Sequence, residues 1–116
     1  MPSAVPEPGD YVEAVLALVE QVPRGRVTTY GAVADALVDD FGGGPRQVAR
    51  VMALSSYLSP GAPVPWWRCI RSDGTLPERL RGEARQAWLE EGTPLRASGA
   101  VDVPAAFWLP VRATGG

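Results

Sequence analysis

The stretch "VTTYGAVADALVDDFGGGPRQVARVMALSSY", residues 27–57, decides the fold. Val27 and the two threonines favour a short extended entry, and Thr28 or Thr29 is a suitable N-cap for a helix running to about Val38. "FGGG" breaks that helix, because glycine loses the most backbone freedom on ordering. Pro45 fits the first position of a following helix, "PRQVARVMALSSY", where its missing N–H is not needed. Two helices joined by a Gly-rich turn form a helix-turn-helix pattern.

On the N-terminal side, apolar residues at 12, 15, 16, 18, 19 and 22 recur at helical spacing from about Asp10, and Pro23 stops the run before the turn "PRGR". On the C-terminal side, "LSPGAPVP" reads as a loop, "WWRCI" as a strand, "RSDG" as a turn and "TL" as the start of a return strand. "GEARQAWLEEG" is a further helix closed by Gly92. The expected fold is mainly α with a small β hairpin: a winged helix-turn-helix in a single domain. Residues 1–9, rich in proline, are expected to be a flexible N-terminus, 10–95 the winged-helix domain, and 96–116 a tail docked on the core through "AAFWLPV".

Composition narrows the function. A chain of 116 residues suits one modest core. The longest nearly apolar run, "YVEAVLALVEQV", is broken by glutamates and too short to span a bilayer, so no membrane role is expected. The N-terminus has no basic start or apolar centre of a signal peptide, so a cytoplasmic location is expected. There is no histidine, which excludes Ser-His-Asp and Cys-His catalysis. With one cysteine as well, no zinc or other metal site is expected, and no cofactor. The net charge is −2, but all eleven basic residues are arginine, and Arg46, Arg50, Arg68 and Arg71 fall between Phe41 and Ser72 without a single Asp or Glu.

Each candidate residue admits two readings. Arg46 and Arg50, one helical turn apart, form either a solvated face or a phosphate-contacting, groove-facing one, with Val48, Val51, Met52 and Leu54 turned to the core. Trp66 and Trp67, on opposite faces of a strand, are either packing residues or a wall for a planar base, stacking on which is worth about 1–3 kcal/mol. Cys69 is either an inert small hydrophobe or a thiol whose pKa Arg68 lowers. Tyr30, at a helix start beside Gly31, is either core or a hydroxyl presented to a phosphate.

Taken together, "VPRGRVTTYGAVADAL", "PRQVARVM" and "VPWWRCIRSDGTL" resemble the C-terminal DNA-binding domain of the O6-alkylguanine-DNA alkyltransferases over about residues 11–95. The tail segment "VPAAFWLP" looks like that family's C-terminal aromatic segment. In that family the loop reads Pro-Cys-His-Arg, and the cysteine accepts the alkyl group irreversibly. Here the matching positions hold Pro65, Trp66, Trp67 and Arg68, and tryptophan in place of the cysteine resembles the alkyltransferase-like proteins. The resemblance implies that Arg46 is a finger entering the base stack and that Tyr30 pushes on the phosphate as the nucleotide rotates out. It implies that Trp66 walls the base pocket, that Arg68 supports it, and that the turn Ser72, Asp73 and Gly74 covers the flipped base. Two departures stand out. Trp67 replaces the histidine base, and the stretch from Arg46 to Trp66 is a few residues longer than usual, with "SSYLSPGAP" lacking the family's asparagine hinge.

The resemblance thus implies a monomeric, non-enzymatic DNA-damage sensor. Its partners would be double-stranded DNA containing alkylated guanine and the nucleotide excision repair proteins. The competing readings are a sequence-specific winged-helix regulator and an alkyltransferase using Cys69.

Overall fold

The computed structural model describes residues 8–58 and 64–111, so residues 59–63 of the expected loop, most of the expected flexible N-terminus and the last five residues lie outside it. Helix α1, Pro8–Glu20, buries Val15, Leu18 and Val19, one stripe at helical spacing, with Val22 buried in the turn that follows. Strand β1 is only Thr28–Thr29. Of the two threonines it is Thr29 that caps helix α2, Tyr30–Phe41, its hydroxyl accepting the Ala32 N–H at 3.1 Å. Gly42, at φ 68°, ends α2.

Helix α3, Pro45–Leu58, begins on its proline, and Gln47 reaches back to accept the Gly44 N–H at 2.9 Å. Val48, Val51 and Met52 face inward. Leu54 does not: it is 53% exposed, because at ~100° per residue it falls well to one side of the stripe set by 48, 51 and 52.

The segment after the loop departs from expectation. Trp66–Arg68 is a turn of 3-10 helix, and only Cys69–Ile70 is a strand, β2. No hairpin forms. β2 pairs in parallel with β1, Thr28 opposite Cys69 and Thr29 opposite Ile70, and Thr75–Leu76 forms no return strand. The reason is local: the Arg71 N–H donates to the Thr75 carbonyl in a tight turn, after which Pro77 directs the chain into helix α4, Glu78–Glu91. Gly92, in the left-handed region, caps that helix. A one-turn helix α5, Val103–Ala106, then returns beside β1, with the Val27 N–H bonded to Ala106 and the Trp108 N–H to Val27.

Two apolar clusters result. One joins α1, α2 and α3 with Val64 and Cys69; the other joins Val27, Ile70, Leu76, Ala84, Trp88, Val101 and Ala106. Successive residues of β2 serve different clusters, as the alternation of a strand requires. Tyr30 and Trp66 are half-buried and pack against both clusters, so they sit at the seam. No helix of the described residues is long and apolar enough to cross a membrane.

Candidate nucleic-acid interface

At that seam is a cavity of about 90 Å³. Tyr30, from the start of α2, and Trp66, from the 3-10 turn, form its aromatic walls. Ala49, Met52 and Ala53 line it from α3, and Leu76, Pro77 and Leu80 from the entry into α4. Arg71 and Arg79, both exposed, complete the rim, and none of these lining residues is acidic. Of the nine residues expected at the site, then, Tyr30 and Trp66 meet in one cavity.

Burial pushes the Tyr30 hydroxyl up to about 12; the nearby Cys69 adds to the shift and Arg71 opposes it. The phenol is therefore neutral across the physiological range and able to donate a hydrogen bond to an anion.

Arg46 and Arg50 are exposed on the side of α3 opposite the buried Val48. Arg46 shares a row with Ala49 and Ala53, at i, i+3 and i+7, so it stands one turn before the residues that line the cavity. Ala49 and Ala53 keep that row low between the arginine and the pocket. Arg46 and Arg50 add positive charge to a helix with no acidic residue.

Trp67 and Arg68 do not line the cavity. Their 3-10 geometry turns both toward α4, and the opposite-face arrangement expected of a strand does not occur. The two indoles meet edge to face, 5.7 Å between centroids. The Trp67 Nε1–H donates to Glu91 Oε2 at 2.8 Å, while the Trp88 Nε1–H donates to the Trp67 carbonyl at 2.7 Å. Arg68 lies 5.6 Å from the Trp67 ring centroid, donates Nη1–H to the Val22 carbonyl and forms a two-pronged pair with Glu91. Arg68 is thus a brace inside the fold, and the acid-free window contributes Arg46, Arg50 and Arg71 to the surface.

The turn of Ser72, Asp73 and Gly74 also lies off the cavity lining, but it joins Arg71 to Leu76, which both line it. Asp73 Oδ1 accepts the Thr75 N–H at 3.0 Å and its hydroxyl at 2.6 Å, and these bonds hold the exposed carboxyl below its ordinary range. Gly74, at φ +86°, is pinned because a Cβ there would collide with the Val101 carbonyl.

Cys69 is fully buried within the first cluster, against which Trp66 also packs. Desolvation pushes its thiol up to about 12. A protonated, inaccessible thiol is not a nucleophile. No group of three or more metal-ligating side chains occurs among the described residues.

Sequence reading noted Arg71 only as part of the acid-free window and missed Arg79 and Glu91. Arg79 sits between Glu78 and Leu80 in the first turn of α4, and nothing local marks either arginine as facing a cavity. Glu91 is one of two adjacent glutamates at a helix end, and only the tertiary contact separates it from Glu90.

A helix-turn-helix whose second helix carries exposed arginines beside an aromatic-walled, acid-free cavity belongs to the DNA-binding class of small helical domains. Residues 10–92 match the family model described as the DNA-binding domain of 6-O-methylguanine DNA methyltransferase, and the chain belongs to that family. It is 33% identical over 102 residues to the DNA base-flipping protein of Escherichia coli (strain K12), across 84% of this chain and 74% of that protein. It is 30% identical over 109 residues to alkyltransferase-like protein 1 of Schizosaccharomyces pombe, across 87% of this chain and 96% of that protein. The crystal structure of S. pombe Atl1 with damaged DNA containing O6-carboxymethylguanine matches with a TM-score of 0.74 and 26% identity, covering 90% of this chain and 100% of that one.

Proposed function

We propose that this protein is a non-enzymatic sensor of O6-alkylguanine in duplex DNA, which flips the damaged nucleotide, holds its base in the cavity and flags it for nucleotide excision repair. One observation carries the reading. Trp66, at the position where the resembled alkyltransferases have their acceptor cysteine, walls the cavity, while the chain's single thiol is buried and protonated at Cys69. Capture therefore ends without transfer.

The energetics favour damage. Extruding a nucleotide costs a few kcal/mol, least for a base that pairs badly, and stacking on an aromatic wall returns about 1–3 kcal/mol. Arg46 supplies a planar cation able to stack and hydrogen-bond in the gap left behind. Tyr30 offers a neutral phenol to the rotated phosphate. The cavity is smaller than the roughly 150 Å³ that accommodates benzene in an engineered apolar site, so a base enters by widening it, for which the flexible Met52 is suited. The Ser72–Gly74 turn covers the base, and the Glu91 brace on Trp67 and Arg68 holds the Trp66 wall. The relatives support the reading: one is named for base flipping, and another is bound to DNA carrying an O6-alkylated guanine. Excision repair as the downstream step and a monomeric state follow from the family resemblance, and a cytoplasmic location from the character of the N-terminal sequence.

Binding to duplexes with and without one O6-methylguanine, at a single stated salt concentration, tests the proposal. Tighter binding to the lesion, with a radiolabelled methyl group staying on the DNA, is the expected result. Equal affinities would remove the sensor, and label recovered on protein would make it an enzyme. Alkylation sensitivity on loss of the protein should vanish in cells that already lack excision repair.

A further inference from the structure

Resting on that reading, we propose that the cavity discriminates by charge: it prefers a guanine whose O6 substituent carries a carboxylate over a neutral substituent of the same size, and Arg71 makes the distinction.

Arg71 reaches the cavity from a rigid base. It follows Ile70, which is fully buried, and its own N–H and carbonyl are bonded to Thr75 and Gly74 within the turn that Gly74 anchors to Val101. Its charge is felt across the cavity, opposing the upward shift that burial imposes on the Tyr30 hydroxyl. Arg79 adds a second guanidinium to the rim. Among the described residues no carboxylate forms an ion pair with Arg71; Asp73, whose carboxyl feels its charge, gives its oxygen to Thr75. The contrast with Arg68, quenched by Glu91, is direct.

Apart from the Tyr30 hydroxyl, which we assign to the rotated phosphate, the rest of the lining is apolar, with Trp66, Met52, Leu76 and Leu80 around the same space. In the free protein the Arg71 side chain is exposed and hydrated. When DNA covers the cavity mouth, that water is displaced. A neutral alkyl group then leaves the guanidinium without a partner, whereas a carboxylate on the adduct accepts a charge-assisted hydrogen bond. Selectivity arises as much from the penalty on the neutral adduct as from attraction to the charged one.

The test uses the full chain and three duplexes that differ at one nucleotide: guanine, O6-carboxymethylguanine and its neutral amide, O6-carbamoylmethylguanine. The wild type should bind the carboxymethyl duplex about five- to tenfold more tightly than the amide, as expected for one charge-assisted hydrogen bond at a partly solvated rim. Arg71→Gln should reduce that ratio below about twofold while both adducts still bind better than guanine, and Arg71→Lys should keep part of it. A wild-type ratio of one, or a ratio that survives Arg71→Gln, overturns the proposal. Equal weakening of all three duplexes by Arg71→Gln also overturns it, assigning the arginine to a backbone phosphate. If the amide duplex and plain guanine bind the wild type alike, it is the sensor reading that fails.

Discussion

Glu91 accepts the Arg68 Nη2–H at 2.6 Å with a carboxylate side chain only 3% exposed. The same carboxylate accepts the Trp67 Nε1–H and the Gly25 N–H, so the end of α4 is tied both to the turn ahead of β1 and to the 3-10 turn that carries Trp66. A cation that the chain places beside the pocket loop is thereby withdrawn from the surface and made part of the wall's support.

Breaking that pair should be expensive. Glu91→Gln leaves a nearly buried guanidinium without its counter-charge, and we expect a loss of about 3 kcal/mol in urea unfolding. The pH dependence follows from the carboxyl itself. Burial alone would raise its pKa, but the hydrogen bonds from Arg68, Gly25 and Trp67 and the charge of Arg68 outweigh burial and hold it below the ordinary glutamate range. Its contribution is full above the unfolded glutamate pKa and disappears as pH falls through the lower folded value. Wild-type stability should therefore decline in acid more steeply than that of Glu91→Gln, and parallel declines would contradict the assignment.

The buried Cys69 thiol, raised to about 12, should resist modification. A thiol-specific disulfide reagent at pH 8 should label less than a tenth of the folded protein in the time that labels all of it in denaturant. Rapid labelling of native protein would return Cys69 to the list of possible nucleophiles.

Gly74 combines a positive φ with a Cβ position already occupied by the Val101 backbone. Gly74→Ala should lose ~2–3 kcal/mol, whereas Gly92→Ala, equally left-handed but with open space at its Cβ, should lose about 1 kcal/mol. Thermal unfolding of the two variants measures the difference, and equal shifts would show that the torsion alone matters.

Two arginines one turn apart on α3 should behave differently. Arg46→Ala should bring the ratio of damaged to intact DNA binding close to one, because it would remove the group we propose fills the vacated stack. Arg50→Ala should weaken both duplexes equally and lower the salt-dependence slope by about one. If Arg46→Ala instead mirrors Arg50→Ala, Arg46 is a phosphate contact and the finger lies elsewhere.

Much of this is legible in the amino-acid order. The stripes of α1 and α3, the Thr29 cap, the Pro45 start and the Gly92 stop are local signals, decided by residues within one or two turns. The family resemblance is equally local, carried by three short motifs in order, and it implied Trp66 at the pocket wall and Tyr30 against the phosphate; that the two line one cavity came from the fold. The strand expected over residues 66–70 forms only at Cys69–Ile70, since aromatic content favours β structure whereas Trp67 and Arg68, in the 3-10 turn, are bonded to Glu91 far along the chain.

The amino-acid order by itself settled the helical framework, the lack of histidine and the indole at position 66, because composition and near-neighbour spacing need no folded context. The tertiary structure alone decided that two-residue strands pair in parallel across forty residues, that Arg68 is neutralised indoors, and that Arg71 faces the cavity. Those outcomes depend on which distant groups share a low-dielectric interior, where a charge must find a partner or stay at the rim.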